Sequence, residues 1–317
     1  MFLWFYFDIL WRYKEKCVLG VKAKVYLGFQ PDYLQILSHE RRDAVENYER
    51  KEAQLLASLF PSIAAQLRGM LSGLYLAATA LAPAEAREKD PELDRRASRL
   101  DQNYYQLLRL VNCLSAAARL DTQTPLPMQD CDLVGLVRET CDEAEQLAQF
   151  LKLELTFNCA LPQLICSANP DSIRQLLFQL LSNAFKFTPP GGTVMVALKR
   201  QDDQALLEVA DTGCGIDDLQ MKALFDRYTH AELRDPPPHG LGLGLPLCLR
   251  IAEDHGGRMM AESQLDVGSR FMVRFPIRHV NHSSLSDSKF DYTGGFNRAL
   301  LGLADALPTE AFSIYNR

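Results

Sequence analysis

No apolar run in this chain approaches the roughly 20 residues that a membrane-crossing helix requires. The longest, "MFLWFYFDILW", stops at eleven and already contains Asp8. It has no basic leader and no small-residue cleavage site, so it does not read as a signal peptide. It is expected either to lie on a membrane surface or to dock on a core, and membrane contact would come only through it. No Cys-x-x-Cys pair occurs among the eight cysteines, at 17, 113, 131, 141, 159, 166, 214 and 248. That absence excludes a zinc ribbon and argues for reduced thiols in a cytoplasmic setting over a disulfide framework. There is also no long basic stripe, and the net charge is −6. A general nucleic-acid binder is therefore not expected.

What remains is a chain of 317 residues, 47% apolar and 23% charged. That is enough for two domains with packed cores. From about Leu34 to Leu81 the pattern is helical. Leu56, Ile63, Met70 and Ala77 recur every seven residues, with Phe60, Leu67, Leu74 and Leu81 offset by four. Such a double row is a heptad seam. Ala82-Pro83-Ala84 breaks it, and "EKDP" opens a second helix. There Leu93, Leu100, Leu107 and Leu114 repeat at seven beside Ala97, Tyr104, Val111 and Ala118. Two such helices predict an antiparallel hairpin over 33–124. Its open apolar face would be closed either by a second copy, giving a four-helix bundle and a homodimer, or by the next domain of the same chain.

Beyond "DTQTPLPMQDCD" the texture changes to mixed elements. Leu133 to Phe150 reads as a helix, and "LELTF", "TVMVAL", "ALLEVA" and "RFMVRF" read as short strands. Asn169-Pro170 predicts a capped helix start, and the helix should end near Phe187 before Pro189-Pro190-Gly191-Gly192. Another helix is expected to begin within "GLGLGLPLCLRIAEDHGG" and end at Gly256. The fold class is therefore α+β: a helical hairpin followed by a two-layer α/β sandwich. A polar tail over 279–317 follows, with Phe296, Leu300, Leu303 and Leu307 on one helical face. That face would dock on the preceding domain or a partner, or stay weakly ordered.

The residues that suggest chemistry lie in three places. On the helix from Pro170, Gln179, Asn183 and Lys186 are four and three apart and share a face of an otherwise apolar helix. An amide oxygen suits a hard cation such as Mg2+, and a lysine neutralises phosphate. A solvent-facing stripe would look the same. Next, "ADTGCGI" places Asp211 at a strand end beside Gly213 and Gly215, so a carboxylate could accept from an exocyclic amine. Last, "GLGLGL" puts Gly240, Gly242 and Gly244 at a helix start, where free backbone N–H groups bind phosphate.

Taken in order, "LLSNAFKFTPPGG", "DTGCGI", "LFDRY", "GLGLGL" and "GSRFMVRFPI" resemble the ATP-binding domain of sensor histidine kinases over 128–278. These belong to the superfamily that also includes gyrase and heat-shock chaperone ATPases. The resemblance implies ATP and Mg2+ as cofactors, Asn183 as the metal ligand and Lys186 as a phosphate contact. It implies that Asp211 receives the adenine amine in a pocket shaped by Gly213, Gly215 and Ile216. Gln179 and Phe187 would line the site, and Gly240, Leu241, Gly242, Leu243 and Gly244 would wrap the phosphates. Tyr228 to His239 would form a lid, stiffened by Pro236-Pro237-Pro238, in which Arg234 and His239 either reach the phosphates or, for the arginine above all, stay solvated. Position 179 departs from the family, which uses asparagine there in kinases and glutamate in hydrolysing relatives. An amide cannot act as a general base, so rapid hydrolysis is not expected.

The family's phosphoacceptor segment reads roughly Ser-His-Glu-Leu-Arg-Thr-Pro-Leu. "LSHERRDA" offers His39, but ahead of the seam and 144 residues before Asn183. "AAQLRGML" aligns within the seam, 118 residues before Asn183, and puts Ala65 at the acceptor position. Gln66 replaces the carboxylate that follows it. Alanine has no nucleophilic atom. The resemblance thus implies a protein-histidine kinase signalling to a response regulator receiver domain, with two alternatives. One is a pseudokinase that senses nucleotide as a dimer. The other is an ATPase, which Gln179 disfavours.

Overall fold

The computed structural model describes residues 62–119, 126–217, 220–221, 224, 244–280 and 297–316, all within the unit Ala57–Arg317. His39, the apolar start and the seam residues Leu56 and Phe60 lie outside the described residues. So do Gly240 to Leu243 and the lid segment.

Helix α1 covers 62–81, α2 covers Ala84–Lys89 and α3 covers Pro91–Arg119. The break between α1 and α2 falls at the expected Pro83, which takes an extended conformation. Pairs at opposite ends show that α1 and α3 run antiparallel. Arg68 donates to Asn112 Oδ1 at 3.2 Å, while the rings of Tyr75 and Tyr104 stack with centroids 4.4 Å apart. Among the described residues nothing covers much of the seam of α1: Met70, Leu74 and Leu81 are 63%, 67% and 85% exposed.

A small antiparallel ladder joins β1 (Gln129–Asp132) to β3 (Ile165–Ala168) and sets Cys131 opposite Cys166. Helix α4 (Leu133–Ala148) begins at Asp132, whose side chain caps Val134 N. The main sheet uses β2 (Glu154–Asn158), β4 (Thr193–Gln201), β5 (Gln204–Asp211), β6 (Arg258–Gln264) and β7 (Gly268–Pro276) in the order β2-β4-β5-β7-β6. Only β2 and β4 are parallel, so the sheet is mixed. Alternate residues Val194, Val196 and Leu198, Leu207 and Val209, and Phe271, Val273 and Phe275 are buried with the residues of α4, α5 (Pro170–Phe187) and α6 (Gly244–Asp254). α5 spans the expected residues. Asn169 caps it by accepting from Ser172 N, and Pro170 needs no donor at that position.

The tail docks. Asn297 caps α7 (Arg298–Leu303), and Leu300, Leu303 and Leu307 are buried as the helical face requires. After α7 the chain runs antiparallel to α3 and is held by a ladder of side chains on that helix. Arg109 donates to the Gly302 carbonyl, Gln106 to that of Ala304 at 3.2 Å and Gln102 to that of Leu307 at 2.8 Å. Further along, Ser313 donates to Asp94 at 2.5 Å and Arg87 reaches the Phe312 carbonyl at 3.3 Å. This explains the buried polar positions on α3: the tail meets Asp94 and Arg109, and Arg87 of α2 meets Asp94, Ser98 and Asp101.

His255 ties the two halves of the sandwich. Its Nε2 accepts from Asn169 N at 3.0 Å, so Nδ1 carries the proton and donates to Ile251 O at 2.7 Å. Burial holds this imidazole below its ordinary pKa of 6.5. The unfolded chain therefore binds the proton more tightly, and stability rises with pH across this window. The contribution is complete above 6.5 and is lost as pH falls through the lower folded value. Thermal unfolding followed between pH 7.5 and 5 should show this decline. His255→Gln should flatten the slope in that window; an unchanged slope would refute the assignment.

Candidate nucleotide site

Three elements converge where β5 ends. Asp211 closes β5, and its Oδ1 accepts from Gly213 N at 2.9 Å and Ser269 N at 3.3 Å. Burial pushes this carboxyl upward against those two hydrogen bonds. Among the described residues Oδ2 has no partner, so one oxygen is fixed by backbone and the other is open to a donor. Two glycines are required by close approach. A Cβ on Gly213 would lie 2.5 Å from the Phe187 carbonyl, and one on Gly215 would collide with the Gln264 carbonyl. Gly215 also has φ +69°, a region that side chains disfavour. Cys214 N donates to Phe187 O at 3.2 Å, so the turn is seated on the end of α5. Ile216 N donates to Ser263 Oγ at 2.8 Å, which fixes the far side of the turn to β6.

The α5 stripe divides into three environments. Asn183 is half-buried, and among the described residues its side chain has no hydrogen-bonding partner. Phe187 is exposed at the helix end. Lys186 is claimed by the tail: its Nζ lies 3.3 Å from Asp305 Oδ2, with the side chain only 8% exposed. Burial lowers its pKa while Asp305 pulls it back up. Gln179 faces α3. Its Oε1 accepts from Arg109 Nη2 at 2.7 Å, and its Nε2 donates to Cys113 Sγ at 3.2 Å. Both ends of this amide are thus occupied by the helical hairpin. Gly244, the first residue of α6, sits so close that a Cβ would be 3.1 Å from Gln179 Oε1.

Arg109, Cys113 and Asp305 were not among the residues expected at the site. The signal available in sequence was an arginine in an apolar heptad helix and a lone aspartate in "ALLGLADALP". Burial raises the Cys113 thiol pKa, so this sulfur packs as a neutral group. At the acceptor alignment, Ala65, Gln66 and Gly69 all face solvent on α1. No group of three His, Cys, Asp or Glu side chains that could hold a metal ion occurs among the described residues, and no described helix is long and apolar enough to cross a membrane.

Residues 168–279, from the end of β3 through β7, match the family model described as histidine kinase-, DNA gyrase B-, and HSP90-like ATPase. The circadian input-output histidine kinase CikA of Synechococcus elongatus is 32% identical over 174 residues, covering 54% of this chain and 23% of CikA. The adaptive-response sensory kinase SasA of Rippkaea orientalis is 31% identical over 217 residues, covering 65% and 55%. The chain thus spans under two-thirds of the length of these curated relatives. Among solved structures, full-length ShkA, crystallised in complex with AMPPNP, shares the fold at a TM-score of 0.57 and 24% identity. That match covers 70% of this chain and 46% of ShkA. Residues 168–279 thus form a domain of this ATPase family, and the curated relatives to which the chain is similar are sensory and histidine kinases.

Proposed function

We propose that this chain binds Mg-ATP between the C-terminal half of α5, the turn after β5 and the start of α6, and acts in signal transduction as a protein of the histidine kinase type. The observation that carries the reading is Asp211. Two backbone N–H groups orient its carboxylate, and among the described residues Oδ2 has no partner at this strand end. Gly213 and Gly215 let the turn seat against the end of α5 and against β6, and Ile216 and Phe187 would offer an adenine apolar contact. Asn183, with no competing partner among the described residues, would ligate the magnesium that accompanies the triphosphate. Magnesium would neutralise phosphate charge, and the chain's own residues would orient the nucleotide. The exposed seam of α1 supports a homodimer closed as a four-helix bundle, and a receiver domain is the partner expected of such a protein.

A second reading is favoured by Ala65. It stands exposed where an acceptor histidine would stand, with Gln66 and Gly69 beside it, and none of the three supplies a nucleophile or a base. On that reading the protein is a pseudokinase, binding nucleotide and passing a change of shape to its partner.

Calorimetry with Mg-ATP tests the site. Asp211→Ala removes a hydrogen bond to a charged acceptor and should weaken binding about 10- to 100-fold. Unchanged affinity would refute the pocket. Incubation with γ-labelled ATP then separates the readings. Acid-labile label that disappears in His39→Ala establishes phosphoryl transfer, and absence of label in a protein that binds ATP establishes the pseudokinase.

A further inference from the structure

Asp305 lies between two cations, Lys186 on α5 and Arg109 on α3. Its Oδ2 is 3.3 Å from Lys186 Nζ and 3.3 Å from Arg109 Nε. The Lys186 and Arg109 side chains are 8% and 7% exposed, so this carboxylate is what neutralises them. The placement is enforced from both sides. Gly302 lies flush on α5, where a Cβ would fall 2.5 Å from Phe178 Cγ, and Arg109 donates to its carbonyl. Gln106 and Gln102 hold the next two turns of the segment on α3. The tail thus delivers one carboxylate to the lysine that lies three residues beyond Asn183.

We propose that the segment 297–312 is an internal competitor of nucleotide: Asp305 occupies Lys186 as a phosphate oxygen would, so tail docking and full engagement of the triphosphate oppose one another. This rests on the reading of α5 as the nucleotide-binding helix. Because the same segment is laddered along α3, nucleotide that displaces Asp305 also loosens the grip of the ATP-binding domain on the hairpin. Binding is thereby converted into freedom of the hairpin. Coupling between two such events is reciprocal, and a docked tail weakens ATP by the same factor that ATP weakens docking.

The test uses the full chain and compares Mg-ATP with adenosine, which has no phosphate. Asp305→Asn should tighten Mg-ATP about tenfold, within the usual range for coupled sites, and leave adenosine unchanged. Lys186→Ala should weaken Mg-ATP. If Lys186→Ala weakens Mg-ATP but Asp305→Asn changes nothing, competition is overturned while the site stands. If Lys186→Ala is itself without effect, the site reading fails and the inference falls with it. Hydrogen exchange on the wild type provides a measurement that needs no variant. Saturating Mg-ATP should speed exchange of the amides in 297–312; unchanged or slower exchange, with binding heat present, overturns the competition.

Discussion

Replacing Arg87 with alanine should destabilise the protein by about 3–5 kcal/mol, the usual cost of removing one partner from a buried ionic cluster. The guanidinium is 7% exposed and reaches four groups. Nε meets Asp94 at 2.8 Å, Nη1 meets Asp101 at 2.8 Å, and Nη2 donates to Ser98 at 3.2 Å and to the Phe312 carbonyl at 3.3 Å. Without it, two buried carboxylates on one face of α3 are left without their shared cation, and the end of the tail loses an anchor. Burial pushes the Asp94 carboxyl up, but hydrogen bonds from Ser313 and Arg87 hold it below its ordinary 3.8. That part of the stability is present above 3.8 and is lost as pH falls through the lower folded value. Arg87→Lys should recover only a fraction, because an ammonium cannot span four acceptors in a plane. Urea unfolding measures the difference, and a loss below about 1 kcal/mol would show that water replaces the cluster without cost.

The second large effect is expected at Phe178. Its side chain is fully buried on α5 beneath Gly302. Phe178→Ala should cost about 3–5 kcal/mol through lost burial and the cavity left behind. It should also free the tail, since α7 would then lie over a void. The expected pattern is a lowered unfolding midpoint together with new protease sensitivity around residues 297–303. A lowered midpoint with an unchanged digestion pattern would show that α7 is held by its polar ladder alone. The reverse substitution, Gly302→Leu, should release the same segment by collision while leaving the sandwich folded.

Much of this fold could be read from residues alone. The start and end of α5 followed from Asn169-Pro170 and Pro189-Pro190, because capping and proline act locally. β4, β5 and β7 followed from runs of β-branched and aromatic residues. β6 did not, because "RMMAESQ" is an edge strand with one half-exposed face and a mixed pattern. β1, "QDCD", carries no strand signal and exists through its pairing with β3. On α3 the seven-residue rows drew attention to Leu100 and Leu107, yet both are substantially exposed. The covered face is mixed: Tyr104 and Val111 of the second row are buried with Tyr105 and Leu108, beside the polar Asp94, Ser98, Asp101 and Arg109, and part of what covers it comes from the far end of the chain. Gln179 failed to be legible for the same reason: it was expected to face nucleotide, but Arg109 and Cys113, some seventy residues earlier, hold it. The placement of Asp211, Gly213 and Gly215 at the end of β5 could be read because strand end, carboxylate and turn are contiguous in sequence.

The ladder along α3 has a consequence for synthesis. Asp94 and Ser313 are 219 positions apart, and Arg109 and Gly302 are 193 apart. At ordinary ribosomal speeds of roughly 5–20 residues per second, α3 emerges on the order of 10–40 s before the segment that covers it. Throughout that interval its acidic and basic side chains remain hydrated, and they discourage premature association of nascent helices.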